Sequence, residues 1–82
     1  MWVGTTIHSE NYRRLLVLIR QMRAQAGLNQ TELGQRLGRP QSWVSKVEVG
    51  ERRIDVEELR QVCAALGVDP GKAIGVWLKD CR

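Results

Sequence analysis

The chain of 82 residues is 43% hydrophobic and 27% charged, which is typical of one soluble globular domain and excludes a two-domain protein or a disordered tail. With two cysteines, one histidine and no apolar run near the roughly 20 residues that cross a bilayer, we expect a cytoplasmic protein without a metal, a disulfide scaffold or a membrane span. The formal net charge of +4 permits a polyanionic partner, and five basic against two acidic residues between positions 36 and 53 place most of the excess in one quarter of the chain.

The first predicted element is a helix that follows Ser9, its expected cap. Residues 1–8 have neither a helical nor an alternating period, nor a basic start followed by an apolar stretch, and are predicted to be a flexible lead-in to a single domain over residues 9–82. Gly27 should end the helix, because glycine takes the left-handed conformation without steric cost. Apolar residues recur at steps of three and four between these limits: Tyr12, Leu15, Leu16, Ile19, Met22 and Ala26.

Two short helices are predicted next, separated by a tight turn. The first, over residues 30–37, can be capped by Asn29 and should end at Gly38. The second should run from about residue 41 to residue 49. Pro40 is tolerated at its start, because the amide hydrogen that proline lacks would have no partner there.

The last two predicted helices cover residues 55–66 and 69–80. Asp55 and Glu58 have the spacing of a reciprocal cap, and Pro70 suits the first turn of the final helix. Inward positions in the fourth helix are Val56, Leu59, Val62, Cys63 and Leu66, and the fifth presents Ala73, Ile74, Trp77 and Leu78 on one side. No segment has the pattern of a strand, so we predict an all-α fold of five helices in one compact unit.

The two short central helices have the pattern of a helix-turn-helix, in which the second helix protrudes into a DNA groove about 12 Å wide. Gly34 is small where the two helices must approach, and Gly38 permits the turn. Shared apolar contact is expected from Leu33, Leu37, Val44 and Val47. The remaining face of the second helix is polar and can hydrogen-bond to base edges or phosphates through Gln41, Ser42, Ser45 and Lys46.

The stretch QMRAQAGLNQTELGQRLGRPQSWVSKVEVGERR, followed by LRQVCAALGVD, resembles the phage-repressor and Cro-type helix-turn-helix family, the xenobiotic-response-element family, from about residue 12 to residue 69. The resemblance depends on the fixed spacing of Gln30, Leu33, Gly34, Gly38, Val44, Val47, Glu48 and Gly50. It implies a lambda-repressor-like DNA-binding domain with the helix-turn-helix at residues 30–49.

The resemblance also implies contacts with double-stranded DNA. Gln30 would touch a backbone phosphate and brace Gln41, which would pair with an adenine edge. Ser42 and Lys46 would read neighbouring base pairs, and Ser45 lies on the same face. The candidates for contact with the DNA backbone are Gln30, Asn29, Arg39, Arg52 and Arg53.

Other positions concern the body of the domain. By the resemblance, Arg23 would form a partly buried ion pair with Glu48 and fix the recognition helix against the core. Three positions depart from the family pattern: Arg39 replaces an apolar residue, Pro40 replaces a Ser or Thr cap, and Trp43 is bulky where smaller side chains are common. Trp43 would either touch a thymine methyl or a sugar, or lie half-buried against its own fold.

The predicted function is that of a homodimeric transcriptional regulator, a repressor that binds a palindromic operator with half-sites about 34 Å apart. One recognition helix reads few base pairs, so a dimer is expected. The fifth helix, over residues 69–80, would form most of the contact between subunits through Ile74, Trp77 and Leu78.

Two alternatives remain open. The family also includes antitoxins, which hold a toxin protein and bind their own promoter, and restriction-modification controller proteins of similar length. An enzyme is not expected, and neither is a cofactor. The chain offers one histidine, no nucleophile with a nearby base, no phosphate-cradling glycine loop and no cluster of metal ligands.

Overall fold

The computed structural model describes residues 9–82, which fold into five α-helices. In chain order these are α1 (Glu10–Gln25), α2 (Gln30–Leu37), α3 (Gln41–Glu48), α4 (Val56–Leu66) and α5 (Pro70–Asp80). Across the described residues there is no β-strand, so the prediction of an all-α fold of five helices is confirmed. The lead-in predicted for residues 1–8 lies outside the described part of the chain.

Side chains cap four of the five helices at their starts, because the first amides of a helix have no partner within it. The caps are Ser9, Asn29, Asp55 and Asp69. Helix α3 is the exception, since Pro40 precedes it without a side-chain hydrogen bond. This helix ends at Glu48, one residue earlier than predicted, with Val49 as its C-cap.

The hydrophobic core draws residues from all five helices. Its members are Tyr12, Leu15, Leu16, Ile19, Met22, Leu33, Val44, Val47, Ile54, Leu59, Val62, Cys63, Leu66 and Ala73. Two residues of the apolar stripes predicted for α1 and α4 are not among them. Ala26 is exposed as the C-cap of α1, and Val56 is 79% exposed at the first position of α4. Ile54, in the loop before α4, is buried in the core at this end of the helix.

Long-range hydrogen bonds hold α5 and the loop before α4 against α1. The Tyr12 hydroxyl accepts the backbone N–H of Ile54 at 3.0 Å in the buried interior. The Trp77 indole donates to the backbone carbonyl of Asn11 at 2.7 Å. The side chain of Asn11 in turn accepts from the backbone N–H of Arg82 and donates to its carbonyl. Helix α1 is therefore the platform on which both later segments rest.

The turn between α2 and α3 depends on Gly34. A Cβ atom at this position would lie 2.6 Å from the carbonyl oxygen of Arg39 and 3.4 Å from the carbonyl group of Pro40. The same turn is closed by a 2.9 Å hydrogen bond from the Arg39 amide to the Gly34 carbonyl. Gly38 has a φ of 70° at the end of α2, which glycine adopts without strain. These two glycines set the angle at which α3 leaves the body of the domain.

We expect Gly34→Ala to destabilise the fold by about 1 to 3 kcal/mol, because the obstructing atoms belong to the backbone and cannot rotate away. Urea unfolding followed by circular dichroism measures the effect. Gly75→Ala in α5 is the matched control, since nothing lies within 4 Å of the added atom. Alanine has the better helix propensity, so this control should gain about 0.5 to 1 kcal/mol. Equal effects of the two substitutions would contradict the close approach at Gly34.

Candidate nucleic-acid interface

Helix α3 has one buried face and one polar, solvent-facing side. Val44, Val47 and Glu48 are buried against the rest of the domain. On the other side Gln41, Ser42 and Lys46 are exposed, and Ser45 and Trp43 are half-buried. The three side chains on which the predicted base contacts depend therefore stand clear of the protein body.

A continuous set of hydrogen bonds, which we call the polar chain, runs from this surface into the core through Gln41, Gln30, Glu48 and Arg23. The Gln41 side-chain amide donates to Oε1 of Gln30 at 2.6 Å. The amide of Gln30 donates to Oε1 of Glu48 at 2.9 Å. Arg23 donates to both carboxylate oxygens of Glu48, at 2.6 and 2.9 Å. The structure thus brings together four residues that sequence reasoning had linked in two separate pairs.

The inner end of the polar chain is a buried ion pair. Glu48 is 2% exposed, and burial favours the neutral carboxyl, but hydrogen bonds from Arg23 and Gln30 outweigh it and hold the pKa of Glu48 below its ordinary value. Arg23 also donates to the carbonyl of Leu28 at 3.0 Å, and Arg20 donates to the backbone carbonyl of Glu48 at 3.2 Å. Helix α1 is therefore hydrogen-bonded to the C-terminal end of α3.

The two other carboxyl groups with altered pKa values lie in α4. Hydrogen bonds from the Arg52 guanidinium and the Asp55 amide lower the pKa of Glu58. The pKa of Glu57 is lowered to about 2 by hydrogen bonds from Arg60 and Gln61, but Glu57 is solvent-exposed, so its share in stability is small.

Since these carboxyls have depressed pKa values in the folded state, the stability that they contribute is present above their ordinary pKa of 4.5 and is lost as pH falls through the folded values. We expect the melting temperature to be flat above about pH 5.5 and to fall progressively below about pH 4.5. Thermal unfolding over a pH series measures this. In Glu48→Gln the decline should be shallower, and an unchanged slope would show that Glu48 contributes little to it.

Two arginines lie over the ring of the half-buried Trp43. The Arg39 guanidinium is 4.4 Å from the centre of its indole ring, and that of Arg52 is 5.2 Å away. Its indole nitrogen is buried and has no hydrogen-bond partner within residues 9–82. The ring packs against the core, which favours the packing interpretation of Trp43 over contact with a base.

Glu58 pairs with the same two arginines. Arg52 donates to both of its carboxylate oxygens, at 2.8 and 2.9 Å, and Arg39 lies 3.7 Å from Oε2. The sequence pattern predicts only a capping role for Glu58, which Glu58 also performs by accepting a hydrogen bond from the amide of Asp55. Arg39 precedes α3, Arg52 follows it and Glu58 lies on α4, so these ion pairs connect three separate segments. Neither helical periodicity nor cap spacing predicts a contact of this kind.

The remaining candidates for backbone contact are Asn29 and Arg53. Asn29 is exposed beside the polar chain, and its side-chain oxygen accepts the amide of Glu32 as the cap of α2. Arg53 is exposed with its guanidinium 4.7 Å from the centre of the Tyr12 ring. Within residues 9–82, neither the Asn29 side-chain amide nor the Arg53 guanidinium donates a hydrogen bond to another protein group.

The three residues predicted to form the contact between subunits differ in their exposure to solvent. Ile74 and Trp77 are partly buried against the core of their own domain, whereas Leu78 is 58% exposed. Two further valines, which sequence reasoning had not selected, are exposed to a similar degree: Val76 by 57% and Val17 by 51%. Val17 and Val76 line a groove between α1 and α5 together with Leu18 and Trp77.

Two kinds of feature are absent from residues 9–82. Among them there is no group of three or more histidine, cysteine, aspartate or glutamate side chains placed to hold a metal ion. None of the five described helices combines the length and the apolar character that a membrane crossing requires.

A family model described as a helix-turn-helix domain matches residues 14–73. An XRE-family like protein from Pseudomonas syringae pv. tomato str. DC3000 is 43% identical, with a TM-score of 0.85 and 93% of each chain covered. No match was found among curated proteins.

Two more distant solved structures share the fold. The clp gene regulator ClgR from C. glutamicum has a TM-score of 0.77 at 23% identity, covering 92% of this chain and 97% of that chain. The wild-type restriction-modification controller protein C.Esp1396I has a TM-score of 0.79 at 18% identity, covering 88% and 94%. At these identities the likeness concerns the fold alone.

Proposed function

Since the chain belongs to the XRE-type family of helix-turn-helix proteins and is a DNA-binding transcription regulator, we propose that it reads a specific sequence by placing α3 in the major groove of double-stranded DNA. The observation that carries the proposal is the exposed polar face of α3, on which Gln41, Ser42 and Lys46 are free to meet base edges. Gln41 is tethered through Gln30, which lowers the entropy lost when it engages a base.

The backbone contacts that we propose surround this face. Gln30 and Asn29 at the start of α2, and Arg39, Arg52 and Arg53 on either side of α3, would approach phosphates. Arg52 is already paired with Glu58, so it would have to share or exchange that partner. Arg53 has no carboxylate partner within residues 9–82 and is the simplest source of a salt-dependent contact.

Selection of bound duplexes from a random pool, at a stated salt concentration of about 0.15 M, tests the proposal directly. We expect enrichment of one sequence, arranged as two inverted half-sites about one helical turn apart. Binding of random duplexes with the same affinity as the selected sequence would overturn it.

We further propose that two copies assemble through α5 and the adjoining face of α1. Val17, Val76 and Leu78 supply exposed apolar side chains there, and Ile74 and Trp77 pack beneath as support. Both signs of charge line the groove between the helices, from Arg13 and Lys79 to Glu10 and Asp80. A surface of mixed sign can pair with a copy of itself across a two-fold axis.

We expect the unsubstituted protein to sediment as a dimer at micromolar concentration and Leu78→Asp to sediment as a monomer, because the substitution buries a carboxylate in the apolar contact. Val56→Asp is the control, since Val56 is also exposed, by 79% against 58% for Leu78, but lies on α4 and does not line this groove. Analytical ultracentrifugation with and without DNA makes the measurement. A monomeric unsubstituted protein under both conditions would remove the dimer.

Repression is the regulatory sign that we propose, because a dimer bound over a promoter blocks access of polymerase. A reporter gene placed behind the selected operator should lose expression when the protein is produced. The antitoxin and restriction-modification controller roles remain alternatives. Co-purification with a second chain would favour the first, and activation of the reporter would favour the second.

A further inference from the structure

The directions of the hydrogen bonds in the polar chain are fixed from its inner end. The Glu48 carboxylate, ionised beside Arg23, can only accept hydrogen bonds. Gln30 must therefore turn its NH₂ group toward Glu48, which leaves its carbonyl oxygen facing Gln41. Gln41 must in turn donate one N–H to that oxygen. The buried charge of Glu48 thus determines the orientation of the exposed side-chain amide of Gln41.

This orientation limits what Gln41 can offer to a base. A glutamine amide has two N–H donors and one carbonyl acceptor, and one donor is already committed to Gln30. One donor and one acceptor remain. Adenine presents one acceptor, N7, and one donor, the N6 amino group, in the major groove, whereas guanine presents two acceptors, N7 and O6. The remaining set matches adenine and lacks the second donor that guanine would need.

We infer that Glu48 is a positioning residue for base selection: by fixing the direction of the polar chain, it makes Gln41 prefer adenine to guanine. The inference rests on the proposed placement of α3 in the major groove. It assigns Glu48 a role in specificity in addition to its ion pair with Arg23, although Glu48 itself touches no DNA.

The test uses the duplex that the unsubstituted protein selects from a random pool. The relevant base pair is the one at which Gln41→Ala abolishes preference. Two duplexes that differ only there, one with adenine and one with guanine facing Gln41, are compared by fluorescence anisotropy at fixed salt. We expect the unsubstituted protein to bind the adenine duplex about 5- to 150-fold more tightly, the range for one good bidentate contact.

Glu48→Gln should reduce this ratio to below about threefold, because an amide at position 48 can donate or accept and lets Gln30 turn round. Gln30→Met should have the same effect on the ratio, since it interrupts the polar chain while leaving the ion pair of Arg23 with Glu48 intact. Gln35→Met is the control: it removes an amide from the same helix as Gln30→Met, but Gln35 is exposed outside the polar chain and should leave the ratio at this base pair unchanged.

Circular dichroism shows whether each variant folds. If Glu48→Gln alone does not, the double substitution Arg23→Met with Glu48→Gln replaces it, because this pair leaves no buried charge. A ratio that stays within twofold of the unsubstituted value in the folded position-48 variant would overturn the inference, and so would a selected base other than adenine. Failure to enrich any sequence would instead overturn the proposed function.

Discussion

Replacement of Gln41 by alanine is expected to weaken binding to the selected operator by about 1 to 3 kcal/mol and to erase preference at a single base pair of each half-site. Gln41 is exposed at the start of α3 and is held by Gln30 at 2.6 Å. Because its side chain faces outward, the substitution should leave the melting temperature almost unchanged. Binding to random duplexes should also change little.

Arg53→Ala is the matched control for this experiment. Arg53 is exposed and carries a charge but lies outside α3, so its loss should weaken all duplexes alike and reduce the slope of log K against log salt by about one. Titrations of selected and random duplexes at three salt concentrations separate the two patterns. If both substitutions affected selected and random DNA equally, the assignment of Gln41 to a base would be wrong.

The second large effect is expected on stability. Arg23→Met should destabilise the fold by about 3 to 5 kcal/mol at neutral pH, because it leaves the buried carboxylate of Glu48 without its cation. Urea unfolding at pH 7 measures the loss. Arg60→Met is the control, since the Arg60 pair with Glu57 spans one turn of an exposed helix surface and should contribute at most about 1 kcal/mol.

The same variant has a second signature in its pH dependence. Without Arg23 the buried Glu48 favours its neutral form, so acidification should relieve part of the penalty instead of adding to it. Arg23→Met should therefore approach the unsubstituted protein in stability as pH falls toward 4. A constant difference between the two proteins across this range would show that Glu48 is compensated by other groups.

Local chemistry made much of this fold predictable. Ser9, Asn29 and Asp55 act on amides within three residues of themselves, so short-range sequence patterns report them. The buried face of α3 was equally predictable, since its apolar residues follow the helical period. The terminal positions were harder, because periodicity cannot tell where the core stops. Val56 continues the apolar stripe of α4, but it is the first residue of the helix and is exposed to solvent.

The parts of the site that the sequence did not predict involve contacts between distant segments. The pairing of Arg52 with Glu58, and the bond from the Ile54 amide to Tyr12, depend on how helices meet. For Trp43, the sequence is compatible both with contact to a base and with packing against the domain. The placement of the two arginines and the burial of the indole nitrogen favour packing.

The shared carboxylate of Glu58 has a consequence for engineering. Arg39 and Arg52 depend on one partner and one aromatic ring, so the effects of replacing them will not add up. If a library varies the loop before α3 and keeps the loop after it constant, it omits every variant in which residues of both loops must change together. Libraries that vary this part of the surface should therefore diversify positions 39, 43 and 52 jointly.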